Sequence, residues 1–143
     1  MSKTEQWRHL LDNVPKNYPE DKPVVMVNLL RFHDQAKYPT GSPHAPCSGQ
    51  EAWIVRYAQE YNRIAGPHGG LESTYLGVKG TKVVGEDNEH WDAVALVKYP
   101  SIKTFRDAIG SDEYFATASI HRDAALADWK LIATTQVDIT DFF

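Results

Sequence analysis

The stretch Val24-Val25-Met26-Val27-Asn28-Leu29-Leu30-Arg31-Phe32 constrains this chain more than any other. It is apolar and rich in β-branched residues, so both alternating faces of a strand built from it are hydrophobic. One face carries Val25, Val27 and Leu29, and the other Val24, Met26 and Leu30; Asn28 and Arg31 are the interruptions. Such a strand belongs inside a sheet that is covered from two sides. The run Trp91 to Tyr99 repeats the pattern, with Ala93, Ala95 and Val97 on one side and Val94 and Leu96 on the other.

The surrounding sequence supplies the remaining elements. Ser2 and Glu5 have capping-box spacing, Trp7, Leu10, Leu11 and Val14 form one stripe, and Pro15 stops the helix. Residues 1–22 therefore read as an N-terminal helix and linker, and 23–137 as the core of a single domain of 143 residues. Residues 33–49 hold three prolines, two glycines and two histidines, a long loop for a small domain. Ser48 and Glu51 open a second helix, whose stripe runs through Trp53, Ile54, Tyr57, Ala58, Tyr61, Ile64 and Ala65 before Gly66-Pro67. A strand is predicted from Leu71 to Val78, with a glycine-punctuated continuation to Val84, and a third from Trp91 to Tyr99. Ser101 starts a helix that turns Ile102, Phe105 and Ile109 inward. After Gly110, Ser111 caps a further helical stretch to about Asp128, and Trp129 to Val137 is the last strand.

This order is β-α-β-β-α-β with an extra N-terminal helix, an α+β chain of the ferredoxin-like kind. In that topology the helices cover one sheet face only. At roughly 25 cal/mol per Å² of apolar area, leaving the second face wet forfeits many kcal/mol. The simplest cover is the same face of a second copy about a two-fold axis, a homodimer through the sheet faces. The N-terminal helix is the competing cover.

Net charge is −4, which gives no electrostatic ground for a nucleic-acid or anionic-membrane partner. No run approaches the roughly 20 apolar residues that cross a bilayer, and the polar start leads into no secretory core. A single cysteine, Cys47, fits a reducing, cytoplasmic setting. His44 and Cys47 are spaced H-x-x-C without a second pair to complete a tetrahedral set, so no metal is expected. Without G-x-G-x-x-G, a Walker loop or G-x-S-x-G, no cofactor is expected either.

Asn28 stands out because a buried amide must satisfy its hydrogen-bonding sites. It is either a fixed donor and acceptor in a ligand cavity or a pin for a neighbouring loop. Arg31, near the strand's end, is placed to hold an anion at a pocket mouth or to pair with Asp92 or Asp128. His68, before Gly69-Gly70, is either a general base or a partner of the helix's last carbonyls. His121 shares a stripe with Tyr114, Ala118 and Ala125 and so faces inward, as a base or as a satisfied core residue. Tyr57, Tyr61, Tyr75, Tyr99 and Tyr114 with Trp53 and Trp91 make an aromatic inner layer, suited to a small aromatic ligand or to an ordinary core.

These residues also carry a resemblance. The phrase Met26 to Phe32, Tyr57 with Tyr61, Gly69-Gly70, Trp91-Asp92, Tyr99-Pro100-Ser101 with Phe105, Tyr114, and Arg122 with Ala125-Leu126-Ala127-Asp128 together resemble the domain-of-unknown-function family DUF1330 over roughly Pro23 to Val137. That resemblance implies a ferredoxin-like protomer of the dimeric α/β-barrel superfamily. It adds Arg122 to the site residues, beside the bland reading of a packed stem with a salt bridge. It further implies monooxygenase, isomerase or cyclase-like chemistry on a small carbonyl- or phenol-bearing substrate without a cofactor. Asn28 and Arg31 would then hold the oxyanion, with His68 or His121 as base. A non-catalytic binding or sensing dimer is the alternative.

Overall fold

The computed structural model describes residues 3–15 and 17–143, without the side chains at positions 4, 5, 8 and 11. Ser2, with the side chains of Glu5 and Leu11 in the expected first helix, lies outside that description. Four strands are present: β1 (Val24–Phe32), β2 (Glu72–Gly77), β3 (Ala93–Tyr99) and β4 (Leu126–Thr134). They form one antiparallel sheet in the order β2-β3-β1-β4, with β1 inside it.

Among the described residues, four helices and several 3-10 turns, the last at Ile139–Phe142, accompany the sheet. A short α1 (Lys3–Arg8) is followed by a 3-10 turn, Leu10–Asn13, that ends before Pro15. A continuous helix α2 joins an α-turn Gly49–Glu51, a π-helical segment Ala52–Tyr57 and an α-helical segment Ala58–Ala65. α3 spans Ile102–Ile109, and α4 joins a π-helical Tyr114–Ala118 to an α-helical Ser119–Ala125. The serines act as the sequence predicts. Ser48 Oγ accepts from the Glu51 N–H at 3.0 Å, Ser101 Oγ from Thr104 at 3.2 Å and Ser111 Oγ from Tyr114 at 3.2 Å. The π segments carry no such sequence signal. In each, a backbone N–H reaches five residues back, Ala58 to Trp53 and Ser119 to Tyr114.

The parity of β1 decides what each side chain sees. Val24, Met26 and Leu30 are at most 3% exposed, packed with Ala93, Ala95 and Tyr99 of β3 on the side where the helices lie. Val25, Val27 and Leu29 point the other way and stay half-exposed. Trp7 lies on the helix side, edge-on to Trp129 at 5.5 Å and 6.3 Å from Tyr114. The N-terminal segment is therefore not the cover of the outer face.

Three strands have bounds that differ from expectation. α4 ends at Ala125 and β4 starts at Leu126 with no loop between, three residues before the expected Trp129; it ends at Thr134, not Val137. The 33–48 segment makes this abrupt switch tolerable by meeting the helix's last carbonyls. His33 N–H donates to Ala125 O at 2.9 Å and Lys37 N–H to Ala124 O at 2.8 Å. Beyond Gly77, residues 78–92 form no strand, and Val83 and Val84 are 94% and 93% exposed. β3 begins at Ala93 because Asp92 serves as a cap: its Oδ2 accepts from Phe32 N–H at 2.8 Å. No helix among the described residues is long and apolar enough to cross a membrane.

The end of β1, the start of α2 and the end of α4 meet at Gly49. Its N–H donates to His33 O at 3.0 Å, and a Cβ there would sit 2.3 Å from His33 O and 2.7 Å from Ala125 O. Both obstacles are backbone, so they cannot rotate away. Gly49→Ala is expected to lower unfolding free energy by about 3 kcal/mol, read by urea denaturation. A loss below ~0.5 kcal/mol would mean that this junction is loose.

Candidate functional site

Strand pairing places Asn28 between Ala95 of β3 and Leu131 of β4, on the helix side of the sheet. Opposite it, α2 projects Trp53, Tyr57 and Tyr61 from one face. The small side chain of Ala95 and the short Asn28 leave a cavity of about 200 Å³ between helix and sheet. Trp7, Trp53, Tyr57, Tyr61 and Tyr99 wall it and Asn28 lies in its floor. Among its described lining residues none is His, Asp, Glu, Lys or Arg.

Asn28 is held loosely. Its Nδ2 donates to Met26 O at 3.4 Å and Ala95 O at 3.3 Å, both long for a hydrogen bond. Two facing carbonyls fix which end of the amide is NH2. The amide thus pins no loop, and the residue stays half-buried.

The tyrosines pair off. Tyr61 and Tyr99 hydroxyls are 2.6 Å apart, and Tyr57 and Tyr114 hydroxyls 2.8 Å apart. Tyr57 and Tyr61 rings stack at 5.5 Å with 11° between planes. Burial pushes all four phenols above their ordinary pKa, so they are neutral hydrogen-bonding groups near pH 7. Tyr114, fully buried, supports Tyr57 from behind the cavity wall. Arg122 is 4% exposed, its guanidinium sandwiched 3.8 Å from the Trp7 ring and 4.3 Å from the Trp129 ring. Its charge opposes the upward shift at Tyr57, Tyr61 and Tyr114.

On the far side of Trp7 lies a second hollow, about 390 Å³, lined by Leu10, Tyr18, Trp129 and Leu131 among others. Trp7, Met26, Phe105 and Leu131 line both and form the partition. The smaller cavity is the one on which Asn28 and the tyrosines converge.

Several expected site residues lie elsewhere. Arg31 has the opposite parity to Asn28 and faces away from the helices, across the ladder from Asp128. Asp128 is hydrogen-bonded by Lys3, and the charge of Arg31 across the ladder also acts on its carboxyl. Burial raises the Asp128 carboxyl, but the Lys3 and Trp129 N–H hydrogen bonds outweigh it and hold it below the ordinary range. His68 is exposed in the 3-10 turn Gly66–His68 that ends α2. Tyr75, opposite Leu96, is 55% exposed on the outer face. Trp91 donates to Glu89 Oε1 at 2.9 Å, outside the cavity.

His121 is buried, as its stripe predicts, yet against the 33–48 loop and not the sheet. Tyr38 OH lies 2.7 Å from its Nδ1, His44 packs edge-on at 4.5 Å, and Arg56 donates to the same Tyr38 oxygen at 3.1 Å. Among the described residues no cluster of three or more His, Cys, Asp or Glu is placed to hold a metal, His44 and Cys47 included. Sequence reasoning missed Trp7 as a cavity wall and Tyr38 as the partner of His121. The Trp7 stripe was visible, but its destination on the sheet was not.

The family described as Domain of unknown function (DUF1330) matches residues 48–135. The crystal structure of methylated RPA0582 protein is similar, with TM-score 0.72 and 28% identity over 96% of this chain and 91% of that chain. A second crystal structure of RPA0582, a protein of unknown function from Rhodopseudomonas palustris and a structural genomics target, is similar with TM-score 0.70. It is 27% identical over 95% of this chain and 92% of that one. No curated protein matches the sequence.

The His121 cluster has a pH signature. Burial first, then the charges of His44 and Arg56, hold His121 below its ordinary pKa. The unfolded chain, near ~6.5, therefore takes up this proton first. The stability from neutral His121 is present above about pH 6.5 and is lost as pH falls below it. In urea melts from pH 7.5 down to 5, His121→Gln is expected to lose less stability than the unsubstituted chain. Parallel pH curves would show that His121 titrates alike in both states.

Proposed function

The chain belongs to the domain-of-unknown-function family DUF1330, and from that footing we propose that it is a small-molecule binding protein acting as a homodimer, with the cavity between α2 and the sheet as its site. The observation that carries this reading is the placement of Asn28, a loosely bonded amide in the floor of an aromatic-walled cavity. A volume near 200 Å³ suits a single substituted ring, given that an apolar cavity of ~150 Å³ takes up benzene. Proton transfer needs a base within hydrogen-bond reach of the substrate. His68 is on the surface and His121 beneath the 33–48 loop, so the geometry favours binding over a monooxygenase, isomerase or cyclase step.

The homodimer rests on the outer sheet face. Tyr75, Leu96, Val27 and Ile132 are cross-strand partners in one apolar row spanning all four strands. Tyr75 is 55% and Ile132 50% exposed, while Trp7 of the N-terminal segment packs on the opposite face against Trp129. The strand order β2-β3-β1-β4 supports the ferredoxin-like protomer and, with this row, the dimeric α/β-barrel arrangement through the sheets. The lone Cys47 supports a cytoplasmic setting.

Two experiments test these readings. Asn28→Leu fills the floor and removes a poorly bonded amide, so its melting temperature should rise by about 2–4 °C while a co-purifying ligand, detected by native mass spectrometry in the unsubstituted protein, disappears. Ligand retained in full by Asn28→Leu, or recovered chemically altered, would overturn the binding role. Val27→Glu buries a charge in the middle of the row and should weaken dimerisation by about a hundredfold or more in sedimentation equilibrium. An unsubstituted chain that sediments as a monomer at every concentration would remove the dimer.

A further inference from the structure

The walls of the α2–sheet cavity carry hydrogen-bond donors that have nothing to meet. Trp53 is 9% exposed and Trp7 6%; both line the cavity, and the indole N–H of each is buried without a hydrogen-bond partner. Buried N–H groups without an acceptor are costly and uncommon in native structures, so two on one cavity call for an occupant that supplies acceptors. The tyrosine pairs point the same way. Two hydroxyls facing each other share one proton between them, so each pair keeps a second O–H proton to donate.

Charge selects further. The described lining contains no carboxylate to receive a cation and no lysine or arginine to neutralise an anion by contact. Yet the Arg122 guanidinium lies 3.8 Å behind the Trp7 ring, buried, and its positive field already reaches Tyr57 and Tyr61 on the cavity wall. A buried positive charge this close to a site sheltered from water favours an anion there and repels a cation, although Asp123 opposes it at Tyr57.

We propose that the cavity takes a single-ring aromatic anion, a carboxylate or phenolate whose oxygen accepts from the Trp7 and Trp53 indole N–H groups while its ring packs among Tyr57, Tyr61 and Tyr99. This rests on the binding role given above and deepens it by fixing ligand chemistry. The Asn28 amide in the floor completes the polar contacts at the ring's other side.

The test titrates the full-length protein with four probes of similar size: benzoate, benzamide, toluene and benzylamine, the last as its ammonium at pH 7.5. Calorimetry should rank benzoate first, about tenfold or more tighter than toluene and benzylammonium, because charge-assisted hydrogen bonds are the strong ones. In proton–nitrogen correlation spectra, two of the indole N–H resonances should move downfield with benzoate and not with toluene, and Trp53→Phe and Trp7→Phe assign them by deletion. Trp53→Phe, which keeps a ring and removes the donor, should weaken benzoate about fivefold more than it weakens toluene. Toluene or benzylammonium binding as tightly as benzoate, or benzoate binding without any indole shift, overturns the anion assignment and leaves the binding role standing. No probe binding at millimolar concentration overturns both.

Discussion

Everything in this molecule hangs on β1 lying between β3 and β4 with apolar side chains on both faces, while the helices come from one side only. The helix side is filled by Val24, Met26 and Leu30, none more than 3% exposed. Asn28 breaks that row where its neighbour across the ladder is the small Ala95. The cavity is a direct consequence. Where a β-branched or aromatic residue would have met α2, an alanine and a short amide leave room.

The second consequence is a polar layer inside an apolar one. Two hydroxyl pairs and one guanidinium lie where desolvation is costly, and each finds a partner within the same layer. Tyr61 meets Tyr99, Tyr57 meets Tyr114, and Arg122 finds two indole faces. Among the described residues, the buried side-chain nitrogen and oxygen atoms without a hydrogen-bond partner are the indole N–H groups of Trp7 and Trp53 and the Tyr18 hydroxyl. Trp7 ties these features together, since it stacks on Arg122, separates the two hollows and walls the smaller one. A segment that sequence alone marks as an appendage thereby becomes part of the cavity wall.

The histidines show how chemistry-bearing residues can be buried for other reasons. His121 and Tyr38 secure the 33–48 loop onto α4, and the same loop supplies backbone N–H groups to the last carbonyls of that helix. A loop of this length without regular structure stays in place because its polar groups are met from a helix end. Its function in the fold is closure of the α4–β4 junction.

The sequence by itself determined β1 to the residue, the serine caps at Ser48, Ser101 and Ser111, the apolar stripe of α2 and the α+β order of elements. These depend on side-chain period and on hydrogen bonds within three or four residues, which are local quantities. Arg31 was legible too, because a period of two puts it opposite Asn28, a consequence that the attraction of a pocket-mouth arginine obscured. Other features were decided by the tertiary structure alone. The loopless passage from Ala125 to Leu126, the turning of His121 toward Tyr38 and the arrival of Trp7 at the cavity wall all depend on partners far away in sequence. Their energies come from packing and from backbone groups satisfied across elements, and no window of consecutive residues contains both members of those pairs.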